Sequence, residues 1–167
     1  KTATGPEFNI IDVTDFLNNS SNNPVLVGSW SAGTSINEII VKNNIAYVAT
    51  PWPNSNPPTQ ENLSILDVTI PTNINRINTF GAPDPSTLSG ESLYISKDGN
   101  TLYLGRVGLN GAHNPQFYSL NVNNPYSLSV VNSKYIPTSN NVGIYAIAIR
   151  SNLAFLWTSD TNLGFQV

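Results

Sequence analysis

Phe8-Asn9-Ile10-Ile11-Asp12-Val13 decides how this chain is read, because it returns as Leu63-Ser64-Ile65-Leu66-Asp67-Val68 and as Phe117-Tyr118-Ser119-Leu120-Asn121-Val122. A shortened copy, Leu163-Gly164-Phe165-Gln166-Val167, follows. The closing valines Val13, Val68, Val122 and Val167 lie 55, 54 and 45 residues apart. A second motif precedes three of the copies: Asn44-Ile45-Ala46-Tyr47-Val48, Asn100-Thr101-Leu102-Tyr103-Leu104 and Asn152-Leu153-Ala154-Phe155-Leu156. A third, Pro24-Val25-Leu26-Val27-Gly28-Ser29-Trp30, follows the first copy and is echoed in 73–80 and 126–135. Several motifs recurring in one order mark an internal structural repeat.

The repeated runs are short, rich in Val, Ile, Leu, Tyr and Phe, and bounded by Asn, Asp, Gly, Ser and Pro, which are strand and turn signals. Some, such as Ile144-Tyr145-Ala146-Ile147-Ala148-Ile149, are apolar at odd and even positions alike, as strands covered on both faces are. Four-stranded antiparallel units of this length, each sandwiched between neighbours, predict an all-β chain built as a β-propeller; a sandwich or a β-helix is the alternative. The reading divides the chain into a partial blade over 1–35, blades over 36–80 and 91–135, and a partial blade over 144–167.

The order of apolar strand, Asn turn, "AYV" strand, loop, strand ending in Asp-Val and then "PVLVGSW" resembles the LVIVD-repeat family of bacterial β-propellers, best at 44–50, 62–71, 8–13 and 24–30. The segment Ile95-Ser96-Lys97-Asp98-Gly99-Asn100-Thr101-Leu102-Tyr103-Leu104 is similar to the hairpin of YVTN-type propellers, with Lys97 where Pro is usual. Asn121 and Gln166 are read as replacing the repeated Asp in the third and fourth copies. The resemblance implies a ring of six to eight blades, so the chain reads as a segment of a larger propeller. Its open blade edges would then associate with other chains or with the remaining blades of a parent chain.

Composition narrows the function. Charged residues make up 10% of the chain against roughly a quarter in average domains, and there are 25 Asn among 167 residues. Seven Lys and Arg with a pI near 4.8 argue against a nucleic-acid surface. No apolar run approaches the roughly 18 residues of a membrane-spanning helix. The absence of cysteine rules out thiol catalysis, disulfides and thiolate metal sites. Sparse charge with abundant Asn, Ser and Thr resembles bacterial secreted and cell-surface proteins. Lys1 opens the chain without a Met or a basic-then-apolar leader, so a mature product or an excised fragment is expected.

Asp12 and Asp67 end strands before a corner, where Asp or Asn accepts a hydrogen bond from the backbone two residues on, so these are read as structural. Lys42-Asn43-Asn44 and Asp98-Gly99-Asn100 fall between paired strands, where positive φ is needed and Asn or Gly supplies it cheaply. No cofactor or metal is expected, since Asp98 lacks the alternating carboxylates of a calcium loop and His113 is the single histidine. Trp30 and Trp157 are expected to pack between blades.

The candidate binding face consists of two loops of successive blades, 50–60 and 105–115. Trp52 in a proline-rich stretch, Arg106 and His113 are its candidate contact residues, since aromatic and Arg side chains dominate interface hot spots. The leading expectation is a noncatalytic extracellular or cell-surface module that binds protein or glycan there. The first alternative is a hydrolase- or lactonase-like propeller enzyme using Glu38 and Glu91, which start innermost strands at the central channel. The second is a structural assembly subunit.

Overall fold

The computed structural model describes residues 5–14, 23–51, 61–82, 89–107, 114–136, 142–160 and 164–167. Thirteen strands are formed among them: β1 (Phe8–Asp12), β2 (Val25–Trp30), β3 (Glu38–Lys42), β4 (Ile45–Ala49), β5 (Leu63–Asp67), β6 (Asn75–Phe80), β7 (Gly90–Ile95), β8 (Thr101–Arg106), β9 (Phe117–Asn121), β10 (Ser129–Lys134), β11 (Ile144–Arg150), β12 (Leu153–Thr158) and β13 (Phe165–Gln166). All pairing between them is antiparallel. They form four sheets in chain order: β1-β2, β3-β4-β5-β6, β7-β8-β9-β10 and β11-β12-β13. The all-β class and the four-stranded antiparallel sheets agree with the pattern of the sequence.

The runs 46–49 and 63–66, apolar or small at both parities, have cover on both faces, because side chains alternate across a strand, whereas the run 144–149, expected to be covered on both, leaves Tyr145, Ala146 and Ala148 exposed. In the second sheet Ala46, Val48 and Leu66 pack with Phe8, Ile10 and Trp30 of the first. The opposite face, with Tyr47, Ala49, Leu63 and Ile65, packs on Leu93, Leu102, Leu104, Tyr118 and Leu120 of the third. Beyond it, Phe117 joins Ile144, Ile147, Ala154 and Leu156 of the fourth. The four sheets are thus stacked face to face in chain order. The second, third and fourth sheets meet most closely along their first strands, with β3 and β4 against β7, and β7 and β8 against β11.

Two glycines set that close approach. A Cβ on Gly90 would lie 2.0 Å from the Asn62 carbonyl oxygen, and one on Gly105 would lie 2.3 Å from Ser92 Oγ and 2.8 Å from the Ile144 oxygen. Only a residue without a side chain lets the backbones come so near.

The two ends of the stack differ. At one end the hairpins are tight: Asn43 and Asn44 have φ of 50° and 61°, Gly99 79° and Ser151 53°. The first three positions lie in the two turns expected from sequence, where Asn and Gly supply the positive φ. The recurring corner is also as expected: Thr14 N–H donates to Asp12 Oδ1 (2.9 Å), Thr69 N–H to Asp67 Oδ1 (2.9 Å) and Asn123 N–H to Asn121 Oδ1 (3.0 Å). The hydroxyl and the backbone amide of Thr69 hold the Asp67 carboxyl below its ordinary value, and Thr14 does the same for Asp12.

A lowered folded pKa means that this stabilisation is present above the ordinary value of 3.8 and is lost as pH falls through the folded one. Asp67→Asn should therefore leave the neutral-pH melting temperature nearly unchanged, because Asn121 already does the same work. Asp67→Ala should lower it by a small but measurable amount. Thermal melts at neutral and acid pH check both, the difference between Asp67→Ala and the parent chain shrinking in acid.

The fourth motif copy departs from its expected alignment. Phe165 and Gln166 stand opposite Trp157 and Leu156, as Leu63 and Ser64 stand opposite Ala49 and Val48. Gln166 therefore holds the register of Ser64 and not that of Asp67. Trp157, expected between sheets, lies on the uncovered face of the fourth sheet and is 57% exposed, with its ring 5.7 Å from Tyr145.

Candidate functional site

The end opposite the tight turns carries most of the long connections; the one over 13–24, joining β1 to β2, is at the tight-turn end. Segments 52–60, 83–88, 108–113, 137–141 and 161–163 all leave and re-enter the described structure at the end opposite those turns. The anchoring hydrogen bonds repeat: Thr50 N–H donates to Asn62 O (3.2 Å), Arg106 N–H to Gln116 O (2.8 Å) and Thr158 N–H to Gly164 O (2.7 Å). Buried polar side chains reinforce them. Asn62 Oδ1 accepts from Ala82 N–H at 3.2 Å, and Gln116 Oε1 accepts from Ile136 N–H at 2.8 Å. Each ties the start of a third strand to the chain leaving the fourth. Their signal in the sequence is their place: Asn62 and Gln116 each stand one position before the recurring motif.

Of the three candidate contact residues, Trp52 and His113 lie outside the described residues. Arg106 is placed differently from the expectation. It ends β8 and is 1% exposed, its guanidinium 5.3 Å from the centre of the Tyr118 ring, with Nη1 donating to Pro115 O (3.3 Å) and Tyr118 Oη (3.4 Å). It occupies the register at which the neighbouring sheets carry Thr50 and Thr158. A side chain so placed ties the end of β8 to Pro115 and Tyr118 and, among the described residues, is almost wholly enclosed.

Glu38 and Glu91 both lie on the first strands of their sheets, β3 and β7, but at different register positions. Glu38 stands opposite Ala49, and its equivalent in the third sheet is Ser92, opposite Gly105. Glu91 sits at the register shift between Gly90 and Ser92. Each of the equivalent pair reaches the next sheet: the Glu38 carboxylate accepts the Leu93 N–H, and Ser92 Oγ donates to the Ile144 oxygen at 2.6 Å. Asn37 Nδ2 and Gly90 O add a bond of 2.8 Å between the second and third sheets. Burial pushes the Glu38 carboxyl up, against the opposing Leu93 N–H, and burial likewise pushes up Glu91.

This geometry makes Glu38 a tie between sheets. Glu38→Ala should cost about 1–3 kcal/mol, because a buried backbone N–H loses its acceptor. Glu38→Gln keeps an acceptor without the charge and should be as stable as the parent chain or more so at neutral pH. With the folded pKa raised above 4.5, the cost of ionisation is absent below that value and grows as pH rises through the folded one. Chemical denaturation across that range should show the advantage of Glu38→Gln vanishing in acid.

Among the described residues no group of three or more His, Cys, Asp or Glu side chains is placed to hold a metal ion, and no helix is long and apolar enough to cross a membrane.

No protein-family model and no curated protein matches the chain. Among solved structures it is similar to the crystal structure of the extracellular domain of a protein described as a one-component system of B. thetaiotaomicron, with a TM-score of 0.47 and 14% identity. The match covers 87% of this chain and 18% of that one, so the chain spans less than a fifth of that neighbour's length.

Proposed function

We propose that this chain is a segment of a β-propeller of the LVIVD-repeat type, acting as a noncatalytic, secreted or cell-surface module that binds protein or glycan at the end carrying most of its long connections. The observation that supports this most is that sheets stacked through equivalent faces send the connections between their second and third strands, which carry Trp52 and His113, out at the end opposite the tight hairpins. Loops held by a rigid scaffold are where binding residues concentrate. Trp52 and His113 belong to two such connections, while Arg106 is buried at the end of β8. Sparse charge and the lack of cysteine agree with an extracellular setting. Acid chemistry by Glu38 and Glu91 is the weaker reading, since the Glu38 carboxylate already serves a backbone amide.

A screen of the intact chain against immobilised glycans and bacterial surface proteins tests the reading. Trp52→Ala and His113→Ala should each weaken a ligand found in this way by about tenfold or more, the scale of a hot-spot truncation. Glu38→Gln should bind as the parent chain does. Unchanged binding by both loop variants, loss of binding by Glu38→Gln, or no ligand of either class would count against it.

A further inference from the structure

A cavity of about 270 Å³ lies between the second and third sheets, both complete, at the end of the tight hairpins. One wall is the β3-β4 hairpin with Lys42 and Tyr47; the other is the β7-β8 turn at Gly99 and the corner that follows β9. Two hydrogen bonds across the seam fix its width: Lys42 Nζ donates to Lys97 O and Asn78 Nδ2 to Pro125 O, each at 3.2 Å. The turn is held from within, Asp98 Oδ1 accepting from Ser96 Oγ (2.5 Å) and Asn100 N–H (3.2 Å), and Oδ2 from Asn100 Nδ2 (3.1 Å). Walls fixed in this way spare a ligand the cost of ordering them.

Tyr47 supplies the observation that points to a ligand. It stands in the middle of β4 between Ile40 and Ile65 and is 3% exposed. Among the described residues its hydroxyl has no hydrogen-bond partner, yet it is not sealed away, and the surface it keeps faces the cavity it lines. Buried tyrosine hydroxyls ordinarily find a partner. Packing does not demand this oxygen, because Phe155 takes the same place in the fourth sheet's copy of the motif. Burial pushes the Tyr47 hydroxyl above its ordinary value, so it meets the cavity as a neutral group able to donate and to accept.

The rest of the lining sets the class of ligand. Lys42 and Asp98 cancel in charge, which favours neither an anion nor a cation. The carboxamides of Asn43 and Asn123 add paired donors and acceptors, and Ile45, Val122 and Pro125 add apolar surface. A sugar ring carries the matching set: hydroxyls that donate and accept, around a frame with apolar C–H faces.

We propose that this cavity binds a single neutral sugar ring, whose hydroxyls meet the Tyr47 hydroxyl and the Asn43 and Asn123 carboxamides. The site lies at the opposite end from the binding face proposed above and does not depend on it.

A single ring in so small a site binds weakly, so the intact nitrogen-labelled chain should be titrated into the millimolar range with the methyl glycosides of glucose, galactose, mannose and N-acetylglucosamine. Nuclear magnetic resonance should show at least one of them shifting the Gly99, Asn100 and Asn123 amides saturably, while the Gln116 amide at the other end stays in place. Tyr47→Phe should weaken that glycoside about fivefold or more and should melt no lower than the parent chain. Asn123→Ala, on an exposed corner, should weaken it as well, whereas Trp52→Ala and His113→Ala should leave it unchanged. The proposal is overturned if no glycoside gives saturable shifts, if Tyr47→Phe binds as tightly as the parent chain, or if phosphate or acetate moves the same amides at lower concentration. Loss of binding in Trp52→Ala and His113→Ala would also overturn it, and would place the sugar at the end of the long connections instead.

Discussion

Gly90→Ala should destabilise the chain by about 3 kcal/mol, lowering its melting temperature by roughly 10 °C for a domain of this size. The Gly90 backbone is fixed from several sides: its N–H donates to Thr50 O at 2.9 Å and its oxygen accepts from Asn37 Nδ2 at 2.8 Å. A methyl group would arrive 2.0 Å from the Asn62 oxygen, which is itself held by the bond from Thr50 N–H. Neither backbone can retreat without opening the seam between the second and third sheets. Gly105→Ala should do the same at the next seam, against Ile144. Gly5→Ala, with open space around it, is the control and should change nothing. Equilibrium denaturation of the three variants measures the ordering, and a Gly90→Ala chain as stable as Gly5→Ala would refute the close approach.

Arg106→Ala should cost about 3 kcal/mol by a different route, through a cavity at a fully buried site and lost bonds to Pro115 and Tyr118. Lysine should not rescue it, since a flexible point charge does not reproduce a planar guanidinium lying over an aromatic ring while reaching two oxygens. Denaturation curves should place both variants well below the parent chain. A marginal loss in Arg106→Ala would return this side chain to the surface, where the sequence had suggested it.

The comparison of Arg106 with Asp67 shows what the sequence could and could not convey. Asp67 belongs to a local motif: strand end, carboxylate, amide two residues on. Its role is written within three residues, and Asn121 in the equivalent place shows that charge is not required. The same locality made the strands, the positive-φ turns at Asn43, Asn44 and Gly99, and the antiparallel sheets legible.

Arg106 depends on what lies above it. A charged residue directly after an apolar run looks like the start of a solvated loop, and only the return of the chain through Pro115 and Gln116 encloses it. Glu38 and Glu91 were misleading for a related reason. Counted from the starts of their strands they look equivalent, but the register shift at Glu91 gives the place of Glu38 to Ser92, and no spacing in the sequence reveals such a shift. Trp157 reads as a packing residue because its equivalents, Ala49 and Gly105, face a neighbouring sheet. In this chain no further described sheet follows, so the same face is open.

Stacking of successive sheets through equivalent positions on their first strands is the central claim, and the Leu93 amide reports on it most directly. In a nuclear magnetic resonance titration of the intact chain, the Leu93 amide proton should lie downfield and move with a single ionisation whose midpoint is above 4.5, the movement disappearing in Glu38→Gln. A Leu93 amide that ignores both pH and the Glu38→Gln replacement would mean that the second and third sheets do not meet along their first strands.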